Sequence, residues 1–230
     1  QSQANRIEWA GAVFSDTALT FSARAPADLH RVDGDAQWRA ERWSAPGLSV
    51  TKIQIEARGG GDAREDRLAL ARWRLQANAD ARRTSAADAA LVNALIEARA
   101  EGDGAQGRGG WTLNAEALSG FGLAARRPRA AGVFVFGESG ASGEAQLELA
   151  HTRLNPAAMD RLRAALPDLA NTPLGPGFAS ARQTLTAAGA AFAINGPIRW
   201  NAGEGRAQVR IAAPIVARAS NGVRMTIEPL

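Results

Sequence analysis

Short runs of alternating apolar and polar residues recur along the chain. The alternation is clear at residues 19–24 and returns at 68–75, 145–149, 209–211 and 223–227. A period of two gives a strand one apolar face and one polar face. The pattern therefore predicts a long antiparallel surface that is apolar on one side.

Turn-forming residues separate these runs in the first third of the chain. We interpret Asp33-Gly34 and Pro46-Gly47 as compact turns, and the Gly-Gly-Gly-Asp run at 59–62 as a looser one. Turns spaced by roughly 8 to 13 residues are typical of antiparallel all-β architectures. Up to about residue 76 the sequence predicts a meander.

A stripe at helical spacing then interrupts the alternation. Leu91 and Val92 are followed four residues later by Leu95 and Ile96, which is the spacing of one helix face. We expect a helix over residues 85–100, inserted into the sheet and packed on it or at one of its ends.

A second helical segment is expected over residues 151–190. Asn155 is a good N-cap and Pro156 suits the first helical position. Strands in residues 191–230 would then close the same domain, whose first part is residues 1–150. The predicted fold class is mainly β with a few helices, built on a long antiparallel sheet.

Composition narrows the function classes. The 230 residues are 46% hydrophobic, which is ample for a core, and the absence of cysteine excludes disulfides and thiolate metal sites. The net charge is +4, but acidic and basic residues are interspersed, as at 39–42 and 64–67. Such mixing is typical of a solvated face, so we expect no nucleic-acid partner.

No apolar segment reaches the roughly 18 to 20 residues that a membrane span requires. No signal peptide is visible either, because no positively charged start precedes an apolar run. We expect the chain to be a piece of a longer protein whose targeting element lies outside it.

Two motifs resemble functional sites, but each is better interpreted as a connection between secondary-structure elements. Residues 102–107 match G-x-G-x-x-G, but a dinucleotide loop follows a strand and opens a helix, whereas this one follows the predicted helix. Residues 137–141 come close to a nucleophile elbow around Ser139, and only His30 and His151 could serve it. We predict no catalytic residue, no metal site and no cofactor.

The six tryptophans allow two interpretations. Trp9, Trp73, Trp111 and Trp200 each fall in a predicted strand. Aromatic residues on strands usually pack across the sheet, but a row of them could also line a groove for an apolar ligand.

Together these features resemble the AsmA-like group of bacterial envelope proteins, which includes TamB and YdbH. The similarity is greatest towards the end of the chain, in residues 166–174, 197–200 and 214–224. This part is similar to an internal portion of a YdbH-type protein.

The resemblance implies a bent, elongated sheet with an apolar concave face, in the manner of a taco shell. Such a protein is anchored in the inner membrane by an N-terminal helix and crosses the periplasm, where it is proposed to pass phospholipid acyl chains towards the outer membrane. An apolar groove shields acyl chains at about 0.8 kcal/mol per methylene, and no catalysis is needed. We therefore expect a non-enzymatic lipid-transfer segment with phospholipid as its partner.

The alternating positions supply the candidate groove residues. The sequence does not decide which residues of each strand face the groove, because Phe134 and Phe136 would lie on the opposite face from their valine neighbours. The candidates are Leu19, Phe21, Val50, Ile53, Ile55, Leu68, Leu70, Leu113, Val133, Val135, Leu147, Leu149, Val209, Ile211, Val223, Met225 and Ile227.

Two other functions stay open at this point. A closed β module could dock other envelope proteins through an exposed sheet edge. A hydrolase that uses Ser139 and a histidine would react with a fluorophosphonate probe.

Overall fold

In the computed structural model, the described strands of the chain form one antiparallel sheet. The structure describes residues 2–9, 11–26, 30–64, 67–86, 88–120, 122–138, 140–155, 183, 192–203, 206–211, 214–219, 222 and 224–227. Within them the strands are β1 Ser2–Trp9, β2 Ala12–Arg24, β3 Arg31–Ala45, β4 Leu48–Arg64, β5 Arg67–Ala86, β6 Ala89–Asp103, β7 Gln106–Asn114, β8 Ala117–Gly120, β9 Leu123–Arg126, β10 Arg129–Gly137, β11 Gly140–Leu154, β12 Phe192–Gly203, β13 Arg206–Ile211, β14 Ile215–Ala219 and β15 Arg224–Ile227.

The strands follow one another as hairpins. Their spatial order is β1-β2-β3-β4-β5-β6-β7-β10-β11-β12-β14-β15, and β8 and β9 continue the lines of β7 and β10 beyond a break. The sheet is long and curved and does not close into a barrel, which confirms the predicted antiparallel class. Substantial contacts join only hydrogen-bonded neighbours, so the described sheet is a single layer.

The register aligns like residues in rows that cross the strands. Ile55 lies opposite Trp38 and Ala79, and the same row continues to Leu19 and Ile96. The next position along each strand forms a polar row, whose members include Gln37, Glu56, Asn78 and Glu97. Because side chains alternate between faces, the sheet has one apolar face and one polar face.

The alternation changes phase along one transverse row, which we call the crease. The crease consists of Asp16, Glu41, Lys52, Arg82, Asn93, Glu116 and Arg127, and the regular pairing of β2 to β6 skips it. At the crease, every second strand of the sheet has a non-glycine residue in the left-handed region of backbone conformation. The φ angle is 51° at Asp16, Lys52 and Arg127, and 48° at Asn93. Each strand contributes one extra residue at the crease. The pairing register between neighbouring strands is therefore the same on both sides of the crease.

The sheet folds along the crease towards its apolar face. Val50 and Ile53 stand three positions apart on β4, yet both are buried, with 5% and 7% of their surface exposed. The ring centroids of Phe14 and Trp38, which lie on opposite sides of the crease, are 5.5 Å apart. Along a straight strand their rows would stand roughly 16 Å apart. The contact between these rings indicates that the two arms of the sheet incline towards each other on the apolar face.

The predicted helix over residues 85–100 is wrong. These residues end β5 and form most of β6, which pairs with β5 along its length. Asn93, at the crease, shifts the apolar phase within β6. Leu91 and Ile96 lie on the apolar face and Val92 and Leu95 on the polar face, so the stripe is divided between the two faces. Across Asn93 the residues that share a face, such as Leu91 and Ala94, are three apart, which imitates helical spacing.

Two of the predicted turns are also wrong. Asp33-Gly34 lies inside β3, and residues 59–62 lie inside β4. Pro46-Gly47 does form the β3–β4 turn, with Gly47 at φ 73°. Of the predicted helical segment 151–190, the first residues belong to β11 and Gln183 is helical, and the other residues after Asn155 lie outside the described part.

Candidate functional site: an apolar trough

The folded apolar face forms a trough that runs across the strands, with the crease along its bottom. Small residues line the row beside the crease: Ala40, Ala94 and Ala115 are buried there, together with Ile53 and Leu149. Small side chains allow the two arms to approach closely. The trough therefore extends along the hydrogen-bonding direction and not along the strands.

Farther from the crease the apolar face is open to solvent. Phe21 is 65% exposed, and Leu19, Leu75 and Ile96 are between 38% and 45% exposed. Large contiguous apolar surfaces of this kind mark interaction sites. No other layer covers this face in the part of the chain that the structure describes.

Aromatic side chains lie over glycines of neighbouring strands on this face. A Cβ at Gly109 would lie 2.5 Å from the Phe134 ring, and one at Gly132 would lie 2.8 Å from the Trp111 indole nitrogen. Trp73 and Phe136 stack at 5.7 Å above Gly102 and Gly107. The glycines thus serve as seats for flat rings, so that the aromatic residues pave the surface.

Eight of the predicted groove residues lie on the apolar face. Val50 flanks one side of the crease, and Ile53 and Leu149 flank the other. The next rows contain Leu19, Ile55, Leu113, Leu147 and Phe21.

Two of the predicted residues lie on the opposite, polar face. Val133 and Val135 alternate with Phe134 and Phe136 on β10, and the two phenylalanines share the face of Trp111 and Trp73. The valines are 60% and 54% exposed. On β10 it is therefore the phenylalanines, and not the valines, that face the apolar side of the sheet.

The remaining predicted residues lie where side chains are not described. The backbone places Leu68 and Leu70 in β5, Val209 and Ile211 in β13, and Met225 and Ile227 in β15. Val223 lies outside the described residues.

A second concavity, which the sequence pattern did not predict, lies on the polar face. A groove of about 1580 Å³ crosses ten strands, from β2 to β13, and is lined by three successive positions on most of them, such as Arg58–Gly60 on β4 and Arg99–Glu101 on β6. The outer two of the three positions contribute from every strand. Because these outer residues belong to the polar face, their side chains form the walls of the groove. The residue between them contributes the floor.

Arginines dominate the charge of this polar groove. Seven arginines and four carboxylates line it. Arg108 bonds to Glu101 at 2.8 Å, and Arg199 bonds to Glu144 at 2.7 Å. The hydrogen bond from Arg108 and its charge, with a smaller contribution from Arg74, lower the pKa of Glu101 below its ordinary value. The local potential is therefore positive.

The motifs weighed in the sequence fall in hairpin turns. Residues 102–107 connect β6 to β7, with Gly104 at φ 55°, so no helix follows to receive a pyrophosphate. Gly137 and Gly140 pair across the β10–β11 turn, and Ser139 lies outside the described residues. Where side chains are described, no group of His, Cys, Asp or Glu could hold a metal ion.

The chain was compared with membrane-spanning helices and with known proteins, and neither comparison gives a match among the described residues or the sequence. Among the described residues, no helix is both long enough and apolar enough to cross a bilayer. The chain matches no protein-family model, no curated protein and no solved structure.

Proposed function

We propose that this chain is a non-enzymatic segment that binds the acyl chains of phospholipids in the apolar trough and passes them along it. The observation that carries the proposal is an apolar face that is folded along the crease and covered by no second layer in the described residues. A soluble protein does not normally leave such a face uncovered.

The trough has dimensions that suit acyl chains. From β1 to β12 the apolar rows cross ten strand lines, a distance of roughly 43 Å at about 4.8 Å per strand. An acyl chain extends about 15 Å, half the thickness of a bilayer core. The trough is therefore close to three chains long, and a chain can move from one aromatic patch to the next without leaving an apolar surface.

The energetics favour holding a lipid without trapping it. Each methylene removed from water contributes about 0.8 kcal/mol. The partly exposed residues, such as Phe21 and Leu75, cover only one side of a chain, so only part of this energy is gained. The charged side chains lie on the polar face, outside the trough. A lipid headgroup can stay hydrated at the solvent-exposed rim of the trough.

The proposal includes a cellular setting that comes from the resemblance to AsmA-like proteins. We place the segment in the periplasm, within a larger protein tethered to the inner membrane. Other envelope proteins are further candidate partners. Transfer of this kind requires no catalytic residue and no cofactor.

The test compares two neighbours on β5 that receive the same side chain. Ala79 lies in the apolar row of Ile55 and Ile96, and Asn78 lies in the adjacent polar row. Ala79→Glu places a carboxylate in the trough, and Asn78→Glu places it on the outside. Ala79→Trp obstructs the trough without adding a charge.

Binding is measured with a fluorescent fatty acid, and co-purified phospholipid is measured by native mass spectrometry. We expect Ala79→Glu and Ala79→Trp to weaken binding at least tenfold, a loss of about 1.4 kcal/mol, and Asn78→Glu to bind like the unaltered chain. Circular dichroism verifies that each variant keeps its sheet. A lipid-free protein that binds no fatty acid would refute the proposal and leave the structural β module as the better account.

A further inference from the structure

The polar groove is independent of the trough, because it lies on the other face of the sheet. It runs across the strands from β2 to β13, a distance of roughly 43 Å at the usual strand spacing. An open channel of this length and direction fits an extended polymer better than a small molecule.

The positive charge is concentrated in the middle of the groove. Arg58 and Arg99 stand in one row two strands apart, and Arg74 and Arg108 stand two positions farther along β5 and β7. Glu101 is the one carboxylate among the lining residues of β4 to β7. Arg58 and Arg99 make no ion pair with any described residue.

One neutral amide lies between two of these arginines, and two more lie at the far end of the groove. Gln76 lies between Arg58 and Arg99 in the same row, and Asn201 and Gln208 pair at the β12–β13 end. A guanidinium matches a carboxylate with two parallel hydrogen bonds. An amide both donates and accepts, which suits a hydroxyl group. The central part of the row thus places one group that recognises hydroxyls between two groups that recognise carboxylates.

Aromatic rings are absent from the polar face wherever side chains are described. The tryptophans and phenylalanines with described side chains, Phe14 and Trp111 among them, all share the rows of the apolar face. A single-stranded nucleic acid is held mainly by its bases stacking on aromatic side chains. Phe134 and Trp200 are among the residues that line the groove, but the alternation along β10 and β12 turns their rings to the apolar face, so the groove offers no ring on which a base could stack.

We propose that the polar groove binds a linear acidic polysaccharide, whose carboxylates pair with Arg58 and Arg99 and whose hydroxyls bond to Gln76 between them. Val133 and Val135, exposed on the same face, provide apolar contact for the C–H surfaces of the sugar rings. The sheet then faces a lipid on one side and a charged glycan on the other.

The test uses oligogalacturonate as the probe and two double variants. Arg58→Gln with Arg99→Gln removes two unpaired charges from the middle of the groove. Arg39→Gln with Arg129→Gln removes the same charge from an outer row of the same face, beyond the lining of the groove. Binding is measured by calorimetry at an ionic strength of about 0.15 M.

We expect the groove variant to weaken oligogalacturonate binding at least tenfold, the factor that the loss of one charge-assisted hydrogen bond produces, and the outer variant to change it less than twofold. Neutral dextran should not bind. Equal losses in both variants, no binding by the unaltered chain, or equally tight binding of an oligothymidylate would each overturn the proposal. Fatty-acid binding, measured on the same variants, should be unchanged, so a failure here is distinct from a failure of the lipid role.

Discussion

The crease can be tested at Lys52, where an exposed side chain sits on a backbone of φ 51°. We compare the alanine and glycine variants at this position with the same two variants at Arg39. Both residues are exposed in central strands, β4 and β3, but only Lys52 is in the left-handed region. Each Ala-to-Gly difference isolates the effect of the Cβ atom.

The two positions should respond with opposite signs. At Lys52 the left-handed conformation costs a residue with a Cβ about 1 to 2 kcal/mol, and glycine removes this cost while adding about 0.5 to 1 kcal/mol of unfolded-state entropy. Lys52→Gly should therefore be more stable than Lys52→Ala by about 0.5 to 1 kcal/mol. At Arg39 only the entropy differs, so Arg39→Gly should be less stable than Arg39→Ala by a similar amount.

Equilibrium unfolding in urea measures both differences. The midpoints are compared at equal slope, because a changed slope would indicate an altered denatured or native state. If glycine were the less stable residue at both positions, Lys52 would sit on ordinary extended backbone. The crease, and with it the trough, would then be absent.

Three further predictions test the faces, the ring seats and the charge of the polar groove. Because the chain has no cysteine, single cysteines over residues 50–58 can report the phase: a polar maleimide should react slowly at 50, 53, 55 and 57 and faster at the positions between them, whereas strict alternation would contradict the crease. Gly132→Ala should destabilise the fold by about 1 to 3 kcal/mol in urea unfolding, since its Cβ would lie 2.5 Å from the Glu144 carbonyl oxygen, and Gly110→Ala, whose nearest atom is at 3.4 Å, should be tolerated. Arg108 lowers the pKa of Glu101 from 4.5, so this pair stabilises the fold above that pH and loses its effect as the pH falls through the lowered value; Arg108→Gln should flatten the acid side of the stability profile, and an unchanged profile would show that the pair has no effect.

The period-two pattern was sufficient to predict the fold class and most of the apolar face. Leu19, Phe21 and Ile55 lie on one face because alternation leaves an antiparallel strand few other arrangements. The same rule failed at β6. Asn93 occupies one position of the crease, so the apolar residues on its two sides are three apart, and a local pattern cannot distinguish this step from a helical one.

Glycines misled the prediction for a different reason. Gly34 and Gly59 were expected in turns, yet each lies inside a strand, where a Cβ would lie 3.7 Å from the Phe21 ring at Gly34 and 3.4 Å from the Leu75 side chain at Gly59. A glycine that seats a ring has the same sequence signature as a glycine that bends the chain. Only the cross-strand partner separates the two, and that partner can be tens of residues away.

The crease connects these features to the trough. A sheet with one unbroken apolar face and no second layer would normally aggregate or acquire a partner layer. An extra position in every strand line lets the sheet fold on itself without any loss of register, since all lines shift together. The fold covers the rows next to the crease and leaves the distant rows open. An apolar channel that is closed at the bottom and open at the top is the shape that a sliding acyl chain needs, so the left-handed residues, although they lie on the polar side, are the structural cause of the proposed lipid site.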